Sequence, residues 1–395
     1  MLSKKLKLIG LILLLGTTAS FAQMSLTFGE GENAIKFTPS TRIYVDGAAF
    51  IQDESDLSNG VTIPDVRLGF NVSYRQWSAK VDVGFGKGKV SAKDIFLQYN
   101  LKKNSYLRVG HYAEPFGIDH MESSSNIKFI TANASSNIFS PGRKLGLEYV
   151  GWNNAIWFAG GIFGDGDSMS NSKEGDDGYS ATSRFVFTPS RKDGAIFHIG
   201  LAGSFRKADA NGRSSNVDGQ LEDNSRYIGY SSSLLSNVET IKPLSAMVPD
   251  ANYQAKYAIE LMGALGPVYF QTEYFHSNIR RYDNAPTYQA MGAYGQVGVL
   301  VTGGKYSYSD SWARMGKPGP KSLELVARFD YTGLDDKHSG INGGTMRDWS
   351  LAVNYYLNKF VMLRLNYSYM NMGDYNPVLA GENVHSIQGR VQVVF

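Results

Sequence analysis

The chain has 395 residues, a formal charge of +3 and no cysteine, and it is rich in tyrosine (24), phenylalanine (21) and glycine (43). Without cysteine, the chain can have neither a disulfide framework nor thiol chemistry. Abundant aromatic residues and glycines suit strands, tight turns and the aromatic girdles of membrane interfaces. We expect no cofactor and no nucleic-acid partner.

Residues 1–22 have the pattern of a secretory signal peptide. Three lysines precede an apolar run from Leu8 to Leu15, and Ser20-Phe21-Ala22 supplies small residues at the spacing for cleavage before Gln23. The alternative is a membrane-spanning helix, but this run is shorter than the ~20 residues that a span requires. Cleavage would remove three lysines and no acidic residue, so the formal charge would fall from +3 to 0.

The remaining residues, 23–395, show no linker and no break in composition, so we predict one domain. Short segments of this domain alternate apolar and polar side chains, which is typical of strands with one apolar and one polar face. Sixteen such segments are predicted, an even number, as in bacterial single-chain barrels. In chain order they are 34–51, 61–75, 77–86, 92–102, 105–112, 144–152, 154–163, 181–189, 195–206, 252–264, 267–279, 288–302, 321–332, 346–357, 360–371 and 384–395.

The segment 321–332 shows what the alternation implies. Leu325 and Phe329 share one face, while Glu324 and Arg328 share the other. An arginine that faces lipid at mid-membrane costs roughly 2–4 kcal/mol, so the charged face must line a lumen. The predicted fold is therefore all-β, a sixteen-stranded antiparallel transmembrane β-barrel. A soluble sandwich or solenoid, the alternative, would leave the aromatic-rich apolar faces unexplained.

The connections between the predicted strands alternate short and long, as periplasmic turns and outer loops do. One connection departs from this order, because 303–320 should be a periplasmic turn and yet is long. Sixteen strands also enclose a lumen too wide for side chains to fill, so we expect water inside. The long outer connections are 113–143, 164–180, 207–251 and 333–345.

Several motifs, taken in order, resemble the phosphate-selective porin O and P family. The strongest is Leu107-Arg-Val-Gly-His-Tyr-Ala-Glu-Pro-Phe-Gly117, followed by Ser123-Ser-Ser-Asn126 and Ser140-Pro-Gly-Arg-Lys-Leu-Gly146. Gly266-Pro-Val-Tyr-Phe-Gln-Thr-Glu-Tyr274 and the final Arg390-Val-Gln-Val-Val-Phe395 are also similar. Each motif alone is weak, and it is their order and spacing that is specific.

The resemblance implies features that the residues alone do not give. It implies a barrel in the outer membrane of a Gram-negative bacterium, in contact with outer-membrane lipid and assembled as a homotrimer. It also implies that the long third outer loop, 113–143, folds into the lumen and narrows it. In this family small hydrophilic solutes diffuse passively through the lumen, and inward arginines and lysines conduct anions such as phosphate toward a cationic binding zone.

A constriction that selects anions needs fixed positive charge in a narrow place where water screens poorly. Loop 113–143 and its end offer Lys128, Arg143 and Lys144, with His120 nearby. The wall beside this loop adds the inward candidates Arg42, Arg67, Lys80 and Arg108. A further basic track comprises Arg184, Arg206, Lys256, Arg328, Arg364 and Arg390.

Each of these cations could instead pair with a carboxylate and serve the structure of the lumen. We favour this paired role for most of them, but for Lys128 and Arg143 we favour direct contact with the solute. Two acids of the same loop, Glu114 and Glu122, could cancel that charge. The other carboxylates available are Asp46, Asp82, Asp94, Asp119, Glu148, Glu260, Glu273 and Glu324.

Two other classes of function stay open. A barrel hydrolase needs a nucleophile within about 3 Å of a base, but His385 and Ser386 are adjacent and point to opposite faces of their strand, so we predict no enzyme. A non-selective or plugged barrel with a surface-interaction role is the second class, because loop 207–251 could cap the pore. The six histidines are scattered without ligand spacing, so no metal site is predicted.

Overall fold

One closed sheet forms the body of the protein. The computed structural model describes residues 25–164 and 174–395, so the predicted signal peptide, 1–22, lies outside the described residues. Sixteen long strands pair antiparallel in chain order and the last pairs with the first, which confirms the predicted barrel. The strands are β1 (Ile35–Gln52), β2 (Val66–Tyr74), β3 (Trp77–Gly84), β4 (Ser91–Lys102), β5 (Ser105–Ala113), β6 (Arg143–Trp152), β7 (Ile156–Gly164), β8 (Tyr179–Lys192), β9 (Ala195–Lys207), β10 (Ala251–Leu265), β11 (Val268–Arg281), β12 (Tyr288–Leu300), β13 (Ser322–Gly333), β14 (Thr345–Tyr356), β15 (Val361–Met372) and β16 (Asn383–Val394).

The first strand closes the barrel because it has a partner on each side. Its first part, Ile35–Ile43, pairs with β2, and its second part, Arg42–Gln52, pairs with β16. A shorter strand, Leu26–Phe28, pairs with the beginning of β1. Every barrel strand therefore has a neighbour on both flanks, as backbone groups in a membrane require.

The predicted alternation of faces is confirmed in β13. Leu325 and Phe329 are each 41% exposed, whereas Glu324 and Arg328 on the opposite face are buried. Strand β8 runs past the predicted end at residue 189 to Lys192, with a register shift just before Ser190. Pro189 lies in this irregularity because proline has no N–H to donate to a ladder.

The segment 114–142 makes its contacts with inward-facing side chains of the strands. It contains two short helices, α1 (Ile118–Met121) and α2 (Ala134–Phe139). The backbone N–H of Ala134 donates to Asp330 of β13 at 2.9 Å, and Arg364 of β15 donates to the carbonyl of Phe129 at 2.8 Å. No helix in residues 25–164 and 174–395 is long and apolar enough to cross a membrane.

The segment 208–250 also contacts the inner wall. Two short strands within it, Ile228–Ser232 and Leu244–Val248, pair with each other. Its buried residues share one apolar cluster with Phe275 and Ile279, which face inward from β11. The amide of Gln388 in β16 donates to the carbonyl of Leu235 at 3.2 Å. This segment therefore does more than cap the barrel.

The connection 301–321, which interrupts the order of short and long connections, turns back between the inner walls. Tyr306 donates to Glu324 at 2.7 Å, and Arg184 of β8 donates to the carbonyl of Ala313 at 3.2 Å. Arg314 donates to the carbonyl of Met121 at 3.0 Å and so joins the segment 114–142.

The expectation that water fills the lumen is wrong for the part enclosed by β8–β15. The inward residues of these strands are buried by the three segments 114–142, 208–250 and 301–321. A barrel too wide for side chains to fill is wide enough for whole segments of chain. Inward polar side chains then satisfy the backbone groups of these segments, as buried polar groups require.

Candidate functional site

Water-accessible space remains beside β1–β5, where three cavities share lining residues. The loop-side cavity, of about 470 Å³, lies between Pro64, Ser236 and Asn237. The middle cavity, of about 300 Å³, lies between the inner faces of β1–β5 and the segment 301–321. The turn-side cavity, of about 150 Å³, reaches Ser40 and Phe395 at the opposite end. Arg67 lines all three, so the cavities lie next to one another along this wall, and we refer to them together as the path.

The wall of this path carries cations at the inward positions of β1, β2 and β3. Arg67 contacts Asp65 at 2.9 Å, and Arg42 lies 3.7 Å from the same carboxylate. Arg42 also donates to the hydroxyls of Ser123 and Ser124 at 2.9 and 2.7 Å, which ties β1 to the segment 114–142. The segment 114–142 therefore borders the path where it meets β1.

A second group of charges surrounds Asp94 of β4. Lys80 of β3 contacts this carboxylate at 2.7 Å and Arg143 contacts it at 2.8 Å. The side chains stay partly exposed, at 27% for Lys80 and 35% for Arg143. Partly exposed ion pairs of this kind separate at lower cost than buried ones, because water can solvate the separated charges. They can therefore accept a passing ion.

The middle cavity has an excess of positive charge. Six cationic side chains line it against three carboxylates, and Asp65 beside Arg67 and Glu148 beside Arg108 reduce the formal excess from three positive charges to one. Such an excess in a confined space attracts anions, since the charges lie within one screening length of the path. The cations are Arg42, Arg67, Lys80, Arg108, Arg143 and Arg314, and the carboxylates are Asp82, Asp94 and Glu122.

Arg108 occupies a different environment from the other wall cations. Its guanidinium contacts Glu148 at 2.8 Å and its side chain is 4% exposed. The guanidinium carbon lies 4.1 Å from the ring centre of Tyr112 and 5.0 Å from that of Phe96. Arg108 therefore borders the middle cavity together with the rings of Phe96 and Tyr112.

Two of the predicted site residues do not line these cavities. Lys128 contacts Glu324 at 2.8 Å, is 7% exposed and lies between the rings of Tyr269 and Tyr306. It is therefore an internal ion pair of the filled part of the barrel. Lys144 is half-buried in β6 beside Arg143, away from the lining of the three cavities. The structure brings together Arg42, Arg67, Lys80, Arg108 and Arg143.

The further basic track is largely paired inside the barrel. Arg184 contacts Glu260 at 2.8 Å, Arg328 contacts Asp348 at 3.3 Å and Arg390 contacts Asp46 at 2.6 Å. Arg390 also lines the loop-side cavity. Of these three ion pairs, only that of Arg390 and Asp46 borders the path.

His120 of α1 borders both the loop-side and the middle cavity. Burial, together with the nearby cations Arg143 and Lys256, lowers the pKa of His120 to about 3. Burial raises the pKa of Glu122, although Arg314 lies 3.3 Å away and opposes this shift. His120 is consequently neutral at neutral pH and adds no charge to the path.

Three buried polar atoms of residues that line the loop-side cavity have no hydrogen-bond partner among the described residues. They are Nε2 of His120 and the hydroxyl oxygens of Ser136 and Ser140. Buried polar atoms are normally paired, so these three are exceptions at the edge of the cavity. Across residues 25–164 and 174–395, no group of three or more histidine and acidic side chains could hold a metal ion.

Sequence reasoning missed several residues of the path, among them Asp65, Lys93, Trp312 and Arg314. Trp312 and Arg314 belong to the connection 301–321, which is longer than expected for a periplasmic turn. The aromatic residues of this connection were the sequence signal that could have identified it as part of the path. The predicted opposition of His385 and Ser386 is confirmed, because His385 contacts the outward Tyr367 while Ser386 is buried inside.

Comparison with known proteins places this geometry in context. The model of the family described as phosphate-selective porin O and P matches residues 44–395. Porin O of Pseudomonas aeruginosa is 24% identical over 343 residues, which cover 76% of this chain and 74% of that protein. An uncharacterized protein of Caulobacter vibrioides is 23% identical over 341 residues, which cover 81% of this chain and 63% of the relative's own length.

Two solved structures share the fold. The anion-selective porin from Comamonas acidovorans has a TM-score of 0.57 at 10% identity, with 91% of this chain and 100% of that chain covered. OmpT of Vibrio cholerae, an outer membrane protein solved in a trimer form, has a TM-score of 0.57 at 11% identity, with 91% and 99% covered. Likeness at this level of identity concerns the fold of the barrel.

Proposed function

Because the chain belongs to the phosphate-selective porin O and P family, we propose that it conducts small hydrophilic anions, phosphate among them, across the outer membrane by passive diffusion. Family and fold indicate an outer-membrane channel rather than an enzyme. The anion preference rests on one observation, the excess of cationic over acidic side chains around the middle cavity. Arginine at this place suits phosphate, because its planar fork matches two oxygens at once.

The path offers an anion a succession of partners. Ser123 and Ser124 hold Arg42 where the segment 114–142 meets β1, and Arg67 lies 3.7 Å from Asp82. Conduction requires sites that bind strongly enough to admit the ion and weakly enough to release it. Cations that are each shared with a carboxylate meet this condition, because the carboxylate replaces the anion when it leaves.

The proposal is tested in a planar bilayer under a salt gradient. The expected reversal potential has the anion sign, and added phosphate should reduce the chloride current. Arg67→Gln should lower the anion-to-cation permeability ratio roughly twofold or more, because one fixed charge leaves the path. Arg213→Gln is the matched control, since that guanidinium is 40% exposed in an outer hairpin. A cation-sign potential in the wild type would reject the anion preference.

We also propose that the protein is a homotrimer in the outer membrane of a Gram-negative bacterium, exported by the leader 1–22. The trimer form of the Vibrio cholerae protein supports this assembly. The same bilayer recording reports it, because one inserted trimer closes in three equal steps. Single, independent steps would contradict the trimer without affecting the anion preference.

A plugged barrel with a surface-interaction role is the second candidate function. It is favoured by the segments 208–250 and 301–321, whose residues fill the part of the lumen enclosed by β8–β15. The two candidates differ in one result of the recording. Correct insertion without measurable current would support the plugged barrel.

A further inference from the structure

We propose that the middle cavity binds organic anions with a flat apolar group, of which aromatic carboxylates are the simplest, as they cross the channel. This inference rests on the proposed anion conduction and adds a class of substrate to it. The residue that carries it is Trp312, in the connection 301–321. Its ring is 36% exposed and lines the middle cavity.

Trp312 differs from its neighbours in the same segment. Tyr306 is 1% exposed and Ala313 is fully buried, and both anchor the segment to the inner wall. The Trp312 ring is not needed for this anchoring, since it stays open to the cavity. A large ring left in contact with water forgoes the stabilisation that burial of its apolar area would give. A ligand that covers it recovers that stabilisation.

The ring is set among cationic groups. The guanidinium carbon of Arg314 lies 5.0 Å from the centre of the Trp312 ring, and that of Arg108 lies 5.9 Å away. Phe96 and Tyr112, which surround Arg108, line the same cavity. Flat groups stack on indole rings and on guanidinium planes alike.

The carboxylate of such a ligand has partners in the same space. Arg42, Arg67 and Lys80 project from β1, β2 and β3 into this cavity of about 300 Å³. A carboxylate can accept two parallel hydrogen bonds from one guanidinium. The cavity therefore offers a cationic face for the charge and an aromatic face for the ring. Inorganic phosphate and acetate can use only the first of these faces.

Benzoate and acetate, added separately at equal ionic strength, test the proposal as blockers of the chloride current. Benzoate should reach half-block at a concentration about 3- to 10-fold lower than acetate, a ratio that corresponds to one aromatic contact. Trp312→Leu should bring the two half-block concentrations together, while Trp312→Phe should keep most of the difference. Trp349→Ala is the control, because that ring is 45% exposed on the outer face of β14.

Equilibrium dialysis of labelled benzoate with the detergent-solubilised protein measures the same site without conduction. Tighter binding of benzoate than of acetate, lost in Trp312→Leu, would support the proposal. Equal binding of the two anions by the wild type, or a difference that survives in Trp312→Leu, would overturn it. An anion-sign reversal potential together with equal block would reject this inference alone. A cation-sign potential would reject the proposed function instead.

Discussion

Two ion pairs of equal length show how the two sides of the barrel interior differ. Arg184 and Glu260 lie 2.8 Å apart on the filled side, where both side chains are fully buried. Arg143 and Asp94 also lie 2.8 Å apart, but beside the cavities, where the side chains are 35% and 19% exposed. The distance between the charges is the same, so access to water decides what each pair does. The first pair holds protein segments in place, whereas the second leaves its charges in partial contact with water.

The largest expected difference between the sides is in stability. Glu260→Gln leaves the buried charge of Arg184 without a carboxylate, with only an amide oxygen and the carbonyl of Ala313 as acceptors, and breaking a buried pair in this way costs about 3–5 kcal/mol. Asp94→Asn on the open side should cost under about 1 kcal/mol, because water solvates the released cations. Urea unfolding of the barrel in lipid vesicles measures both values. Equal costs would mean that the two sides do not differ in hydration.

The next effect concerns ion selectivity and separates two residues of one predicted constriction. Arg143→Gln should lower the anion-to-cation permeability ratio roughly twofold, because that charge borders the path. Lys128→Gln should leave the ratio unchanged and lower the stability of the barrel, since Glu324 loses its cation. Reversal potentials measure the ion selectivity of the two variants, and urea midpoints measure their stability. A selectivity change in Lys128→Gln as large as that in Arg143→Gln would place Lys128 on the path.

The smallest expected effect is a pH dependence that stays flat. Because the pKa of His120 is lowered to about 3, the folded protein keeps this side chain neutral from pH 8 to pH 5. The wild type and His120→Gln should therefore show the same change in selectivity over this range. His120 does make the stability depend on pH. Below pH ~6.5 the unfolded chain takes up a proton on this side chain whereas the folded protein does not, so the free energy of unfolding decreases as the pH falls. A rise in anion selectivity on acidification, seen only in the wild type, would show that His120 titrates in the path.

The strands could be predicted from the sequence because their signal is local. In β13, alternation alone assigns Glu324 and Arg328 to the inside, and the structure agrees. Several carboxylates named as partners for the cations also pair with them, as Glu148 does with Arg108 and Glu260 with Arg184. An inward charge in a barrel must find an opposite charge or water, which limits the choice.

The division of the interior into a filled and an open side could not be predicted in the same way. It depends on where segments far apart in sequence meet, as when Lys128 reaches Glu324, 196 residues further along the chain. Alternation assigns a residue to the inner face but does not say whether another segment covers it. The sequence of the connection 301–321 did indicate its contacts inside the barrel, because an exposed periplasmic turn does not require aromatic residues such as Tyr306, Tyr308 and Trp312.

The pairing of β1 with β16 constrains how the molecule can be assembled. Asp46 and Arg390 face each other across this seam although 344 residues separate them. Until β16 pairs with it, the second part of β1 has amide and carbonyl groups without hydrogen-bond partners, which is unfavourable in hydrocarbon. The whole chain must therefore be exported before the barrel inserts. The pairing of β1 with β16 and the entry of the barrel into the bilayer then occur together, as the last step of assembly.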